Sequence, residues 1–379
     1  MKKVYLDNAA STQIRKEVID VMVKSFTNDF GNPSSTHSHG RTSKNNLELS
    51  RKTIAKHFNV SSQEIIFTSG ATEANNWILM SAIQNLKVTR IITSKIEHHA
   101  VLHAVEMLQK QFQIEVDYVK INKDGNVDIL DLAEILSDTK PTIVSLMHVN
   151  NEIGTVLDLK IVAKLCKQHN AYFHSDTVQS VGKTRLDLQE IPLDFIVASA
   201  HKFHGPKGVG FLFARKGLTL NPLFFGGEQE KGLRPGTEST SSILGMAEAL
   251  NLSFLNLENE KQQISSLKEY TVLQLKKHFV SVKIVGDSIT SFHTILHVIL
   301  PFSTTKTPMI LFNLDMNGIA VSRGSACQSG SIRASHVLSE IVDSDDLKKP
   351  NLRISFSHFN TFDDIDHLLA VLKKFNQAT

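Results

Sequence analysis

Short apolar runs alternate with helical patterns in the first 215 residues, and this alternation constrains the fold more than any other feature. Runs typical of strands lie at 64–69, 90–94, 141–147, 171–176 and 193–198. Helical patterns between them favour a mostly parallel sheet with both faces covered. Ligands bind such sheets beyond the carboxyl ends of the strands, where this chain places its polar clusters. The sequence therefore predicts an α/β fold with a site along one sheet edge.

Lys202 follows the last of these runs, in a loop rich in Gly, Ser and His that leads to another apolar run at 209–213. A lysine held at the end of a buried strand can shift its pKa and act as a nucleophile. The alternative for any single lysine is an ordinary surface loop. The other strand ends favour the functional interpretation.

Three further polar groups follow strands. Asp176 ends one run, and Gly70-Ala71-Thr72 forms a strand-to-helix turn whose free N–H groups could bind an anion or simply cap the helix. His98 lies at a third such turn, where an imidazole could contact a planar ring or move protons. His99 and His103 have a spacing compatible with a metal, but an amphipathic helix face explains them better.

The two cysteines cannot form a disulfide framework. Cys166 lies in an amphipathic helical pattern, which indicates a buried thiol. Cys327 lies in a Gly/Ser-rich loop, which is typical of a reactive thiol. Arg353 has apolar neighbours, so it is either a strand arginine that binds a carboxylate or a structural ion pair.

Composition excludes several classes of function. Lys and Arg total 41 against 38 Asp and Glu, with no long basic run, so we expect no nucleic-acid or membrane surface. We expect no membrane span or signal peptide, and hence a cytoplasmic protein. A length of 379 residues predicts roughly two domains, the second a smaller α/β region from about residue 258.

An anion-binding turn, a strand-end lysine, a strand-end aspartate, a histidine, an arginine and a thiol are together the groups that one cofactor needs. Pyridoxal 5'-phosphate requires a lysine for its aldehyde, an acid for its ring nitrogen and an anion site for its phosphate. The sequence therefore predicts an enzyme that uses this cofactor.

The chain resembles the cysteine desulfurases of the NifS/IscS type, in the class V aminotransferase group. The matching motifs are Tyr5-Leu6-Asp7-Asn8-Ala9-Ala10, Phe30-Gly31-Asn32-Pro33-Ser34-Ser35, Thr68-Ser69-Gly70-Ala71-Thr72-Glu73, His148-Val149-Asn150-Asn151-Glu152-Ile153-Gly154, His201-Lys202, Gly205-Pro206-Lys207-Gly208, Gly324-Ser325-Ala326-Cys327 and Ser335-His336-Val337-Leu338. Segments 95–102, 225–230 and 313–316 resemble the desulfurase that serves tRNA 2-thiolation in Gram-positive bacteria.

This resemblance implies the fold type I of pyridoxal-phosphate-dependent transferases. Residues 15–257 would form a large cofactor-binding domain with a mostly parallel, seven-stranded sheet. Residues 1–14 and 258–379 would form a small domain that carries the catalytic cysteine loop.

The resemblance also implies a role for each matching residue. The implied catalytic residues are Cys327, Lys202 and His98. The implied cofactor-binding residues are Ala71, Thr72, Asn151, Asp176, Gln179, Ser199, His201, Lys202 and Thr237, the last from the second subunit of a homodimer. The implied substrate-binding residues are Arg353, Asn32 and Asn151. No metal is implied.

The implied reaction removes sulfur from L-cysteine, leaving L-alanine and a persulfide on Cys327. A protein would accept the sulfur, either a tRNA 2-thiouridylase or an iron–sulfur scaffold. Alternatives on the same scaffold are a selenocysteine lyase and a class V aminotransferase, and a different class is a non-catalytic sulfur carrier. The chain departs from the common family pattern at Thr177, Arg323, Ala334 and 358–360.

Overall fold

The computed structural model describes residues 2–286, 291–323 and 335–377. The strands are β1 (Val4–Tyr5), β2 (Ile65–Thr68), β3 (Arg90–Thr93), β4 (Glu115–Tyr118), β5 (Thr142–Ser145), β6 (Tyr172–Asp176), β7 (Phe195–Ser199), β8 (Gly210–Ala214), β9 (Lys283–Val285), β10 (Ile295–Ile299), β11 (Ile319–Ala320) and β12 (Asn351–Ser355). The helices are α1 (Lys16–Asn28), α2 (Ser38–His57), α3 (Ala71–Gln84), α4 (His99–Phe112), α5 (Ile129–Ile135), α6 (Leu159–Gln168), α7 (Thr240–Leu255), α8 (Leu257–His278), α9 (Ile310–Met316), α10 (His336–Ile341), α11 (Ser344–Leu347) and α12 (Phe362–Gln377).

Seven strands of the described residues form one sheet, called the large sheet here, in the order β2-β8-β7-β6-β5-β3-β4. Strand β8 runs antiparallel to both of its neighbours, and the other pairs are parallel. The predicted α/β fold with a mostly parallel sheet is therefore confirmed. Because β2, β3, β5, β6 and β7 point the same way, their carboxyl ends share one edge.

Alternate residues of the large sheet enter two different cores. In β7, Ile196 and Ala198 pack with α2, α6 and α7, whereas Phe195 and Val197 pack with α3 and α4. Side chains alternate between the faces of a strand, and helices cover both faces here. This explains why the strands read as continuous apolar runs rather than as alternating ones.

A separate core surrounds the antiparallel sheet β12-β10-β9, called the small sheet here. It contains apolar residues of α8, α9 and α12 together with Val4 and Leu6 near the chain start. Strand β1 pairs in parallel with β11, and Asp7 bridges to Ser355. The N-terminal segment thus reaches from the small sheet to the edge of the large one.

Within the described ranges, no helix is long and apolar enough to span a membrane.

The Gly-rich segment 225–238 is held against α2, β2 and α3 by buried and half-buried charges. Glu230 is buried, and its carboxylate accepts two hydrogen bonds of 2.7 Å from the Arg51 guanidinium. The amide N–H of Phe67 donates to the same carboxylate at 3.0 Å. Arg234 makes a further ion pair with Glu73 at 2.9 Å. Charge pairing therefore fixes a segment that is rich in glycine.

Candidate active site

Lys202 ends a short 3-10 turn that directly follows the fully buried strand β7. Its ammonium donates a hydrogen bond of 2.7 Å to the backbone carbonyl of Ala9. The side-chain amide of Gln179 donates to the same carbonyl at 3.0 Å. One oxygen of the N-terminal segment therefore brings Lys202 and Gln179 together at the carboxyl edge of the large sheet.

Asp176, the last residue of β6, is 7% exposed. Its Oδ2 accepts from the Asn75 amide at 2.8 Å, and its Oδ1 accepts from the Val178 N–H at 3.1 Å. These two donors orient the carboxylate. Neighbouring Thr177, a departure from the family pattern, is fully buried and donates its hydroxyl to the Val197 carbonyl at 2.7 Å. Its hydroxyl is thus satisfied by strand β7.

His98 is the N-cap of α4, and its Nδ1 accepts from the Ala100 N–H at 3.1 Å. Burial lowers the pKa of His98. The charge of Lys202 lowers this pKa further, whereas the charge of Asp176 raises it. The imidazole is therefore neutral near pH 7 and carries its proton on Nε2. The charges of Asp176 and Lys202 therefore both act on the His98 ring.

Glu97 is a residue of this region that the sequence analysis missed. It is 1% exposed, and its Oε1 accepts from the Met147 N–H at 2.9 Å and the Ser94 hydroxyl at 3.0 Å. Its Oε2 has no hydrogen-bond partner among the described residues. Burial, reinforced by the Asp176 charge, raises the pKa of Glu97 to about 8. No sequence pattern around Glu97 predicts that its side chain is buried, because a single glutamate beside a histidine is common on protein surfaces.

The turn predicted to bind an anion lies where α3 begins. The Ala71 N–H donates to the Ser199 hydroxyl at 2.8 Å, which joins the ends of β2 and β7. Gly70 has a φ of 152°, and a Cβ there would approach Ser199 Oγ to 3.3 Å. Thr72 is exposed in the first turn of α3. The free N–H groups and the positive end of this helix suit an anion.

His201 is half-buried, and its Nδ1 lies 3.4 Å from the Ser11 hydroxyl. Burial, with the charges of Lys202 and Lys207 adding to it, lowers the pKa of His201 to about 4. The ring is therefore neutral at physiological pH. It can offer an N–H donor without adding a charge.

Arg353 lies on β12 and is 2% exposed. Its NH2 group pairs with the Asp7 carboxylate at 2.8 Å, so the ion pair considered in the sequence analysis is present. Its NH1 group donates to the Asn151 carbonyl at 3.0 Å, which joins two of the predicted substrate residues. Its Nε is buried and has no partner in the described part of the chain.

The remaining predicted residues lie at the periphery or outside the described chain. Asn32 is exposed between α1 and α2, where its Oδ1 accepts from the Ser34 N–H at 2.9 Å. Thr237 is exposed and lines a cavity with Ser69 and Arg234. Cys327 lies outside the described residues.

Described residues on both sides of segment 324–334 contact this region. Arg353 N–H donates to the Ser322 carbonyl at 2.7 Å. The Ser335 hydroxyl donates to the Glu152 carboxylate, and His336 Nε2 donates to the Glu97 carbonyl at 2.9 Å. Both flanks are therefore anchored beside the carboxyl edge of the large sheet.

These residues fit a phosphorylated pyridine aldehyde. Gln179 Oε1 is a buried acceptor that no described residue satisfies, as expected where a hydroxyl belongs. The Asp176 carboxylate supplies the charge that a ring nitrogen needs, and the turn at Gly70 suits a phosphate. Lys202 supplies the amine. Fold and site together define a pyridoxal-phosphate-dependent enzyme.

Comparison with known proteins supports the same class of enzyme. The family described as aminotransferase class-V matches residues 4–368, and the chain belongs to this family, whose cofactor is pyridoxal phosphate. Cysteine desulfurase IscS of Clostridium botulinum (strain Kyoto / Type A2) is 39% identical over 98% of this chain and 94% of its own length. Putative cysteine desulfurase IscS 1 of Bacillus subtilis (strain 168) is 39% identical over 99% of this chain and 100% of its own. A solved NifS-like protein superposes with a TM-score of 0.90 at 33% identity, over 98% of this chain and 99% of that one.

Proposed function

We propose that this protein is a cysteine desulfurase that converts L-cysteine to L-alanine and leaves the sulfur as a persulfide on Cys327. The observation that carries the proposal is the meeting of Lys202 and Gln179 at the Ala9 carbonyl, beside the Asp176 carboxylate. The relatives named cysteine desulfurase support the same reaction at nearly full length.

Each strand-end group has one task in holding the cofactor. When bound, pyridoxal phosphate supplies an aldehyde that combines with amino groups and a ring that draws electrons from the substrate. Asp176, fixed by two donors, keeps a proton on the ring nitrogen. Gln179, whose buried Oε1 lacks a donor among the described residues, would accept a hydrogen bond from the ring hydroxyl, and His98 would lie against the ring.

The start of α3 would hold the phosphate of the cofactor. We infer that Ala71, Thr72, Ser199 and His201 hold it, and that Thr237 of a second copy of the chain completes the site. Neutral His201 donates a hydrogen bond, and the helix end stabilises the negative charge. A homodimer follows from this arrangement, so an active monomer in sedimentation measurements would contradict it.

The substrate carboxylate binds Arg353, with Asn151 and Asn32 beside it. The guanidinium already pairs with Asp7, and this pair holds it in place as its remaining donors face the substrate. Lys202 moves the proton of the substrate Cα, because its amine lies at the end of β7 next to the ring. His98 handles the proton of the substrate thiol.

The thiol of Cys327 takes up the sulfur. A thiolate is a strong sulfur nucleophile, and the sequence around Cys327 is rich in Gly and Ser, which is typical of a reactive thiol. We infer that a tRNA 2-thiouridylase receives this sulfur in the cytoplasm, with an iron–sulfur scaffold as a second acceptor. The sequence segments at 95–102 and 225–230 support the thiolation role.

We further infer that residues 15–257 form one domain, and that residues 1–14 and 258–379 form another. The separate cores around the large sheet and the small sheet support this division. The small domain would then bring Arg353 and the Cys327 loop to the cofactor.

The decisive experiment compares the purified protein with its Cys327→Ser variant. We expect the variant to keep the yellow colour of the lysine-bound cofactor and to lose the sulfide that is released from cysteine in the presence of a reductant. Sulfide release at the wild-type rate would reject the role of the thiol, and a protein that stays colourless with added cofactor would reject the enzyme class. Radiolabelled cysteine with each candidate acceptor then identifies which protein receives the sulfur.

A further inference from the structure

A small cavity lies between the large-sheet and small-sheet parts of the chain. Phe203 and His204, which directly follow Lys202, form part of its wall, and His293 and Thr294 form the opposite part. The cavity measures about 20 Å³. A water needs about 10–15 Å³ measured in this way, so the space suits one small species and excludes phosphate or sulfate.

Lys183 lines this cavity without a counter-ion. Its side chain is half-buried, and its ammonium makes no hydrogen bond or ion pair with a described residue. Burial, with repulsion from Lys202 adding to it, lowers the pKa of Lys183 to about 7. The cation is therefore destabilised by the lack of a negative partner.

Among the described residues that line the cavity, the acidic residue is Glu260, and its carboxylate is already paired with an arginine. Glu260 accepts two hydrogen bonds from the Arg15 guanidinium, at 2.8 and 2.9 Å. Its Oε2 also lies 3.5 Å from the His358 ring. An Arg–carboxylate pair of this geometry is neutral as a unit, so it leaves the Lys183 charge uncompensated.

A second donor also lacks a partner. Thr294 is 3% exposed, and its Oγ1 is buried without any hydrogen-bond partner in the described chain. A buried polar group is normally satisfied by protein, water or an ion. The histidines of the wall, His204 and His293, have their pKa lowered to about 3 by burial, so they are neutral and need no anion themselves.

We propose that this cavity is a binding site for one monatomic anion, chloride in ordinary buffers, held by the Lys183 ammonium and the Thr294 hydroxyl. The anion compensates the unpaired cation and satisfies the unpaired hydroxyl at once. It also links the two parts of the chain, because Lys183 follows β6 whereas Thr294 immediately precedes β10. Exposed Lys261, at the rim, adds positive potential.

Crystals of the holoenzyme grown with sodium bromide test the site directly, because bromide scatters anomalously. We expect an anomalous peak in the cavity, within hydrogen-bonding distance of Lys183 Nζ and Thr294 Oγ1. Anomalous peaks confined to the protein surface, with a water or nothing in the cavity, would overturn the proposal.

Thermal unfolding of the holoenzyme tests the site in solution. Sodium bromide or chloride at about ten times its dissociation constant should raise the unfolding midpoint by about 2 °C over sodium gluconate of equal ionic strength. Gluconate is too large for the cavity. An equal midpoint in both salts would contradict an anion site.

Two variants and a control locate the effect. Lys183→Met should abolish the halide response, and Thr294→Val should weaken halide binding about 2–10-fold, because one hydrogen bond is lost. Lys164→Met removes an exposed lysine of α6 and should leave the response unchanged. A full response in Thr294→Val and Lys183→Met would refute the assignment. Should Lys183→Met fail to fold, Thr294→Val and the bromide crystals decide alone.

Discussion

Replacement of Glu230 by alanine should destabilise the protein strongly, although this residue is not one of the predicted site residues. The Arg51 and Glu230 side chains are only 7% and 2% exposed, so water screens their interaction little. Removing one partner of such a buried pair costs about 3–5 kcal/mol, because the other charge stays buried. The Phe67 N–H loses its acceptor as well, which costs about a further 1–3 kcal/mol.

Differential scanning calorimetry of the wild type and Glu230→Ala measures this loss. At about 1.3 °C per kcal/mol for a chain of 379 residues, the unfolding midpoint should fall by at least about 5 °C. Glu228→Ala is the matched control, because Glu228 is an exposed glutamate of the same segment and should change the midpoint by less than about 1 °C. Equal midpoints for the two variants would refute the view that the buried pair anchors segment 225–238.

Three other predictions concern the site. Asp176→Asn should keep the fold but lower desulfurase activity by at least about 100-fold, because an amide cannot hold a proton on the ring nitrogen; activity within tenfold of wild type would contradict this. Glu97→Gln tests the raised pKa of about 8. The native carboxyl is protonated while the unfolded one ionises, so the wild type loses stability as pH rises, and the variant should gain about 2–3 kcal/mol relative to it between about pH 6 and pH 9. A pH-independent difference between the two proteins would contradict the assignment. Burial raises the pKa of the Cys166 thiol, so native Cys166→Ala and wild type should bind the same amount of a thiol reagent; a lower amount in the variant would show Cys166 to be reactive.

Much of the site could be predicted because polar residues at the ends of parallel strands converge. Lys202, Asp176 and His98 follow β7, β6 and β3, and the parallel pairing of these strands brings their ends to one edge. Cys166 was correctly predicted as a core thiol, since it is 1% exposed on the apolar face of α6.

Long-range charge pairs could not be predicted in the same way. Arg51 pairs with Glu230, and Arg353 pairs with Asp7, although the partners lie 179 and 346 residues apart in the sequence. No local sequence pattern predicts such pairs. The same holds for the burial of Glu97, which depends on Met147 from a different strand end. These contacts arise only when the sheets have assembled.

Some elements also escaped the sequence patterns. Strand β4 is an edge strand with largely exposed residues, so its sequence Glu-Val-Asp-Tyr lacks the apolar run that marks the inner strands. The sequence from 242 to 279 has a helical pattern throughout, yet it forms two helices, α7 and α8, which meet at Asn256. No glycine or proline lies within five residues of Asn256 to mark the break. The role of Cys327 stays a prediction, since it lies outside the described residues.

Mass spectrometry of the peptide that contains Cys327 tests the central claim most directly. The holoenzyme is mixed with about one equivalent of L-cysteine per site without reductant, and alanine is measured in the same sample. The account predicts that this peptide gains the mass of one sulfur atom and that an equal amount of alanine forms. Alanine or any other product without sulfur on Cys327 would contradict it.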